Sequence, residues 1–398
     1  MTFIRSNSRA LLIKLFRAAL TCVLFSLLPV SSAMTQEADA AACADAAQQF
    51  IMARAAQKRA DWQAALTGYE RAINVAPNCT EAMINLGVMH NRLNQTEQAI
   101  LAFQRAAALR PQLLAAHLNL GITYFRTARY EPAIESLRHA VAAAPENLQA
   151  RQLLALSLIA REEFAEAARQ LEWLIEHGGE EPPVLLALGE SYLRLKDHAK
   201  AVRSLERLVQ LAPSSAKAHL RLGEALDNAS ASERAVDEFR RAVVLDPTLP
   251  EAHYALGSAL LKHGESDAAA AEFVSELRIN PDMVLARYHL GLIYLRQNRL
   301  GEAADQLTRV TEAAPDFYLA LTAIGQTLLK QRETARAVEV LERAVKLSPD
   351  WADSHALLGR AYKAAGRRAD AERAFAAARQ LSARARQEFE NRINGQKP

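Results

Sequence analysis

Apolar and polar residues alternate at helical spacing through most of the chain. Residues 81–111 show the pattern most cleanly, as EAMINLGVMHNRLNQTEQAILAFQRAAALRP. Leu86, Gly87 and His90 share one face of a first predicted helix. Ala99, Phe103 and Ala106 share one face of a second, at spacings of four and three. Asn94 lies near the break and suits a helix end. Pro111 stops the second helix, because proline has no N–H to donate and its ring clashes with the turn before it. The stretch therefore predicts two amphipathic helices joined by a short polar turn.

The pattern recurs every 34 residues, from Ala46 to Ala385 without a gap. This gives ten units: 46–79, 80–113, 114–147, 148–181, 182–215, 216–249, 250–283, 284–317, 318–351 and 352–385. The eighth position is glycine in eight units, with Ala53 and Ala155 in the other two. The twentieth is alanine in all ten, from Ala65 to Ala371. The thirty-second is proline in eight, and the twenty-fourth is always large and apolar, from Tyr69 through Phe103 and Phe239 to Phe375. Small residues at positions eight and twenty let the two helices of a hairpin approach closely. The large residue at twenty-four is expected to fill the space between neighbouring units. A mid-helix glycine costs about 1 kcal/mol relative to alanine, so glycines in phase imply a packing requirement.

These columns resemble the tetratricopeptide repeat. The resemblance spans 46–385 and implies an all-α fold, a right-handed α-α superhelical solenoid of tandem helix hairpins. It further implies that the first helices line a concave groove, which binds peptides or partner proteins, usually without catalysis. The matching residues are packing residues, so the partner stays unnamed.

The ends read differently. Arg5, Arg9, Lys14 and Arg17 precede an apolar run, Ala18–Val30, followed by Ser31-Ser32-Ala33. This is the layout of a secretory signal peptide over 1–33, cleaved after Ala33, with a periplasmic or secreted product. The run of 13 residues includes Pro29 and is short for a spanning helix, which needs about 20. No stable membrane insertion is expected after cleavage. Residues 34–45 form a lead-in segment, and 386–398 a polar capping helix and tail. Unit four departs most, with Gly178-Gly179 where proline is expected: a hinge, or a looser turn in a continuous solenoid. Glu276 puts a charge at a twenty-seventh position that is alanine in six units, tolerated near a helix end.

Charge and chemistry narrow the function. The full chain carries +3, but the leader holds four of its 48 basic residues and none of its 45 acidic ones, leaving −1. Nucleic acid is therefore not the expected partner. There is no phosphate loop, no G-x-S-x-G and no H-E-x-x-H, and no acid, base and nucleophile set converges; an enzyme, a cofactor and a metal site are not expected. His117, His219, His253 and His355 share the fourth position, but stacked units place equivalents about 10 Å apart, too far for one zinc. They are expected to pack between helices. The thirteenth position is basic in seven units, including Arg92, Arg194, Lys262 and Lys330, where a cation suits the C-terminal end of a helix. Lys217 and Arg221 match only part of a carboxylate clamp, which is not expected to function.

Two site expectations remain. Cys43 and Cys79 are the cysteines left after leader removal, before the first helix and after the second helix of unit one. Those ends meet in an antiparallel hairpin, so a disulfide is expected in an oxidising compartment, worth about 3 kcal/mol; two free thiols are the alternative. Positions five, nine and twelve of the first helices hold apolar residues surplus to the hairpin core. Leu118, Ile122, Phe125, Leu156, Ile159, Leu186 and Leu193 form one expected stretch of a partner-binding groove. Tyr254, Tyr288, Leu292 and Leu295 form another, with Glu190, Glu224 and Asp227 as an acidic section between. About half of the position-five residues are expected to pack on the neighbouring unit instead. The function expected is a non-catalytic extracytoplasmic scaffold for a protein or peptide. The alternative is a structural component of a cell-envelope export or assembly complex.

Overall fold

A computed structural model describes residues 42–393. Among these residues it contains twenty α-helices and no strand, an all-α stack of helix hairpins. The chain divides into two compact bodies, Met1–Pro213 and Ser214–Pro398. The division falls one hairpin beyond Gly178-Gly179. The signal-peptide expectation lies outside the described residues.

The N-terminal body opens with a 3-10 turn, Ala44–Ala46. Five hairpins follow: α1 (Ala47–Lys58) with α2 (Trp62–Val75), α3 (Thr80–Arg92) with α4 (Thr96–Leu109), α5 (Leu114–Arg126) with α6 (Tyr130–Ala143), α7 (Leu148–Ala160) with α8 (Phe164–Glu176), and α9 (Pro182–Leu195) with α10 (His198–Leu211). The C-terminal body holds α11 (Ala216–Asn228) with α12 (Ser232–Leu245), α13 (Ala252–Lys262) with α14 (Ser266–Ile279), α15 (Val284–Arg296) with α16 (Leu300–Ala313), α17 (Tyr318–Lys330) with α18 (Thr334–Leu347), and α19 (Ala352–Ala364) with α20 (Arg368–Ile393). Within each body, each hairpin packs on the next, and first helices of successive hairpins also touch in places, α5 on α7 and α15 on α17 among them.

Every hairpin turns in the same way. Position fifteen takes a left-handed conformation in all ten, from Ala60 (φ 59°) and Asn94 (φ 58°) to Gly366 (φ 77°). The next residue donates its N–H back to the helix, as Gln95 does to the His90 carbonyl (2.8 Å) and Arg129 to that of Tyr124 (2.9 Å). This pairing closes the last turn and satisfies a carbonyl that the helix end would orphan. Between hairpins the proline at position thirty-two sits second in a β-turn, where its fixed φ fits; Leu113 N–H returns to the Arg110 carbonyl across Pro111 (3.0 Å). At Gly178-Gly179 a glycine cap replaces that turn. Gly178 is left-handed (φ 85°), and Gly179 N–H bonds the Leu174 carbonyl at 2.7 Å.

The large residue at position twenty-four packs inside its own hairpin, on the glycine at position eight, which corrects the expected placement between units. A Cβ on Gly87 would stand 2.5 Å from the Phe103 ring, and one on Gly121 would stand 2.4 Å from Leu137. The first hairpin inverts the arrangement. Ala53 takes the glycine's place, and Gly68 on the opposite helix makes room, since a Cβ there would meet that of Ala53 at 2.7 Å.

Position four is a clasp. His117, Arg151, His253, Arg287 and His355 each donate to the carbonyl of the turn proline six residues earlier, at 2.6–3.1 Å. Position four also holds position twenty-three of its own second helix in four hairpins: Arg151 with Gln170, His219 with Glu238, His253 with Glu272 and Arg287 with Gln306. Glu276 is fully buried and has a specific task. Its carboxylate accepts the backbone N–H groups of Glu251 and Tyr254, both at 3.2 Å, at the start of α13. That helix begins late, after a left-handed Glu251 (φ 72°), and Glu276 caps the amides it leaves open.

Candidate partner-binding surface

Positions five, nine and twelve do not form one uniform face. Leu118, Ile122, Phe125, Leu156 and Leu295 are only 4–8% exposed. They belong to the core and are withdrawn from the groove. The cause is contact between successive first helices, which the twofold grouping of positions within one helix could not show. First helix α5 packs on both α3 and α7, and Asn91 on α3 donates to Thr123 on α5 at 2.8 Å; Phe125 also meets Tyr130 of its own hairpin edge-on at 5.8 Å.

The remaining candidates are half-buried. In the N-terminal body these are Ile159 on α7 and Leu186, Glu190 and Leu193 on α9. In the C-terminal body they are Glu224 and Asp227 on α11, Tyr254 on α13, and Tyr288 and Leu292 on α15. Leu292 and Tyr288 also pack against the core of the last hairpins. Rings gather here: Tyr254 lies 6.1 Å from His289, which stacks on buried Phe273 at 5.5 Å. Burial pushes the Tyr254 and Tyr288 phenols up and holds the His289 imidazole down, because each charged form would lose hydration.

The acidic residues are not a free patch. Glu224 takes both carboxylate oxygens to Arg221 Nη1, at 2.7 and 2.8 Å. Its side chain keeps 29% of its surface, yet crowding by protein raises its carboxyl, an effect that Arg221 only partly offsets. Asp227 pairs with Lys262 of the next repeat. The basic thirteenth position is thus mostly a tie between successive repeats. Arg92 covers the Trp62 ring at 5.6 Å, Arg194 covers Phe164 at 5.1 Å, and Lys330 donates to the Leu295 carbonyl at the end of α15. The last case is the expected complement of a helix C-terminus.

Cys43 and Cys79 are joined, with sulfurs 1.98 Å and Cα atoms 4.8 Å apart. Cys79 is fully buried at the start of α3. The described part of the lead-in is therefore anchored to the first hairpin. At the other end α20 runs unbroken from Arg368 to Ile393, so the expected capping helix is a continuation of the last repeat's second helix. Beside it a groove of about 850 Å³ opens between α19 and α20. No described helix is long and apolar enough to cross a membrane.

A sequence profile for the tetratricopeptide repeat matches residues 52–113, 152–216, 186–250, 254–321 and 322–387. These spans cover more than half of the chain, which belongs to the tetratricopeptide repeat family. A profile for anaphase-promoting complex, cyclosome, subunit 3 matches residues 92–174. No curated protein matches the chain significantly. Among solved structures it is similar to the C-terminal part of a TPR repeat-containing protein from Cytophaga hutchinsonii, at 16% identity and TM-score 0.48, over 57% of this chain and 93% of that one. It is also similar to YrrB, a TPR protein with an unusual peptide-binding site, at 22% identity and TM-score 0.41, over 48% and 98%. MamA from Desulfovibrio magneticus RS-1 matches at 20% identity and TM-score 0.41, over 43% and 96%.

Proposed function

We propose that this protein is an exported, non-catalytic scaffold that binds a protein or peptide partner along its first helices. One observation carries the reading: successive first helices keep large apolar side chains half-open rather than buried. These are Ile159, Leu186 and Leu193 in one body and Tyr254, Tyr288 and Leu292 in the other. Such rows suit the anchors of an extended or helical peptide. Export is supported by the basic, apolar and small-residue order of 1–33 and by the Cys43–Cys79 bond, which persists in oxidising compartments.

Two measurements test this. Intact mass of protein from its native host should correspond to a chain starting near Met34; a mature chain that retains residues 1–33 would end the export reading. Leu186→Glu with Leu193→Glu should leave the melting curve close to wild type and reduce capture of native partners from the envelope fraction at least tenfold. Unchanged capture would remove this face from the site.

A further inference from the structure

Three successive inter-repeat loops of the C-terminal body share a sequence that the other loops lack. They read Pro281-Asp282-Met283, Pro315-Asp316-Phe317 and Pro349-Asp350-Trp351. Elsewhere the residue after the turn proline is Asn78, Gln112, Glu146, Ser214 or Thr248. The three aspartates are exposed and form no ion pair among the described residues. The cationic or ring N–H groups that reach these loops go to the proline carbonyls instead: Arg287 to Pro281, Arg343 to Pro315 and His355 to Pro349.

Beside the aspartates runs a line of rings. Phe317 meets Tyr288 with centroids 4.9 Å apart, and Tyr318 meets Trp351 edge-on at 5.8 Å. The two pairs are adjacent, since Phe317 and Tyr318 are consecutive residues. Phe317 and Tyr318 are half-buried, and Trp351 is 38% exposed, high for so large a side chain at a repeat junction. Carboxylate and ring thus stand side by side at two successive junctions, with a third carboxylate before them.

The spacing selects a ligand. The first helices α15, α17 and α19 touch in series, and packed helices lie roughly 8–10 Å apart. A polyproline II strand has three residues per turn and rises about 3.1 Å per residue, so every third side chain returns to one face after roughly 9 Å. We propose that the edge formed by Asp282, Asp316, Phe317, Asp350 and Trp351 docks an extended, proline-containing basic peptide with arginine or lysine at every third position. Each cation pairs with an aspartate, and those at Asp316 and Asp350 also lie against Phe317 and Trp351, while the prolines between them cover the remaining ring surface. This names a partner class for the scaffold reading and rests on it.

The test uses the full chain and a fluorescein-labelled peptide of repeated arginine-proline-proline, followed by anisotropy. Binding should be saturable and weaken as salt rises. Asp316→Asn with Asp350→Asn should raise Kd about tenfold or more, and Trp351→Ala about fivefold. Moving the arginines to every second position at equal charge should also weaken binding. All three sites are at the surface, and unchanged thermal melts confirm that the variants fold. Equal affinity in wild type and variants, or equal affinity for both arginine spacings, overturns the proposal. So does a lack of binding to wild type. If Leu186→Glu with Leu193→Glu still loses the native partner in that case, the scaffold reading stands and only the loop edge is refuted.

Discussion

The first hairpin, α1–α2, and the last, α19–α20, each pack on a single neighbouring hairpin among the described residues, and they are held in different ways. In the first, Ile51 and Met52 on α1 are 67% and 62% exposed, although position seven is buried in most other repeats. Its stability comes from closure. Cys43 and Cys79 tie its two ends together. Tyr69 is fully buried, meets Phe50 edge-on at 5.5 Å, and donates its hydroxyl to Gln57 at 2.6 Å. The last hairpin has no cysteine. It lengthens α20 to 26 residues against the usual 14, and ion pairs such as Arg367 with Asp370 and Arg384 with Glu388 line its exposed side. A disulfide acts by restricting the unfolded chain, whereas a longer helix adds one local hydrogen bond per residue and weak surface pairs. The N-terminal hairpin is therefore fixed as a unit, and the outer part of α20 is held only by its own helix.

Breaking the closure should have the largest effect. Cys79→Ser should destabilise the first hairpin by about 3 kcal/mol, seen as faster amide exchange in α1 and α2. Exchange in α19 and α20 should not change, because each repeat of a solenoid contacts only its neighbours. Equal acceleration at both ends would mean that the molecule unfolds as one block.

Alkali should sharpen the contrast. Burial pushes the Tyr69 phenol up to about 12 from an unfolded value near 10. The folded state therefore holds the proton more tightly. Its contribution is fully present below pH 10 and is lost as pH rises from about 10 to 12, by about 1–2 kcal/mol. Amide exchange should report this loss in the first hairpin, and Tyr69→Phe should flatten it. A pH profile that Tyr69→Phe leaves unaltered would mean that another group controls this end.

The smallest effect compares one position at the two ends. Position fifteen is Ala60 in the first hairpin and Gly366 in the last, both left-handed. A Cβ at 366 would meet nothing within 4 Å, so only the backbone conformation penalises it. Ala60→Gly should stabilise by about 1 kcal/mol, and Gly366→Ala should destabilise by a similar amount. Shifts of the same sign in the two melts would break the equivalence of the two turns.

Much of this was legible in the sequence because a repeat states each packing rule many times. Glycine at position eight and proline at thirty-two marked close approach and chain reversal before any coordinates. The left-handed turn was nearly hidden, since only Asn94, Asn298, Gly264 and Gly366 advertise it while Ala128, Lys196 and Arg332 adopt it unannounced. The pairing of Glu276 with the amides of α13 was invisible, because those partners lie 25 and 22 residues away.

Sequence alone determined the helical-repeat pattern and the all-α class, because these follow from local spacing and from what glycine and proline permit. Tertiary structure decided which apolar residues remain for a partner. Ile122 and Phe125 look like Leu186 and Leu193 along a single helix. The folded chain buries the first pair, where α5 packs on neighbouring first helices and Phe125 on Tyr130 of its own hairpin, and leaves the second half-open, a distinction that no single helix encodes.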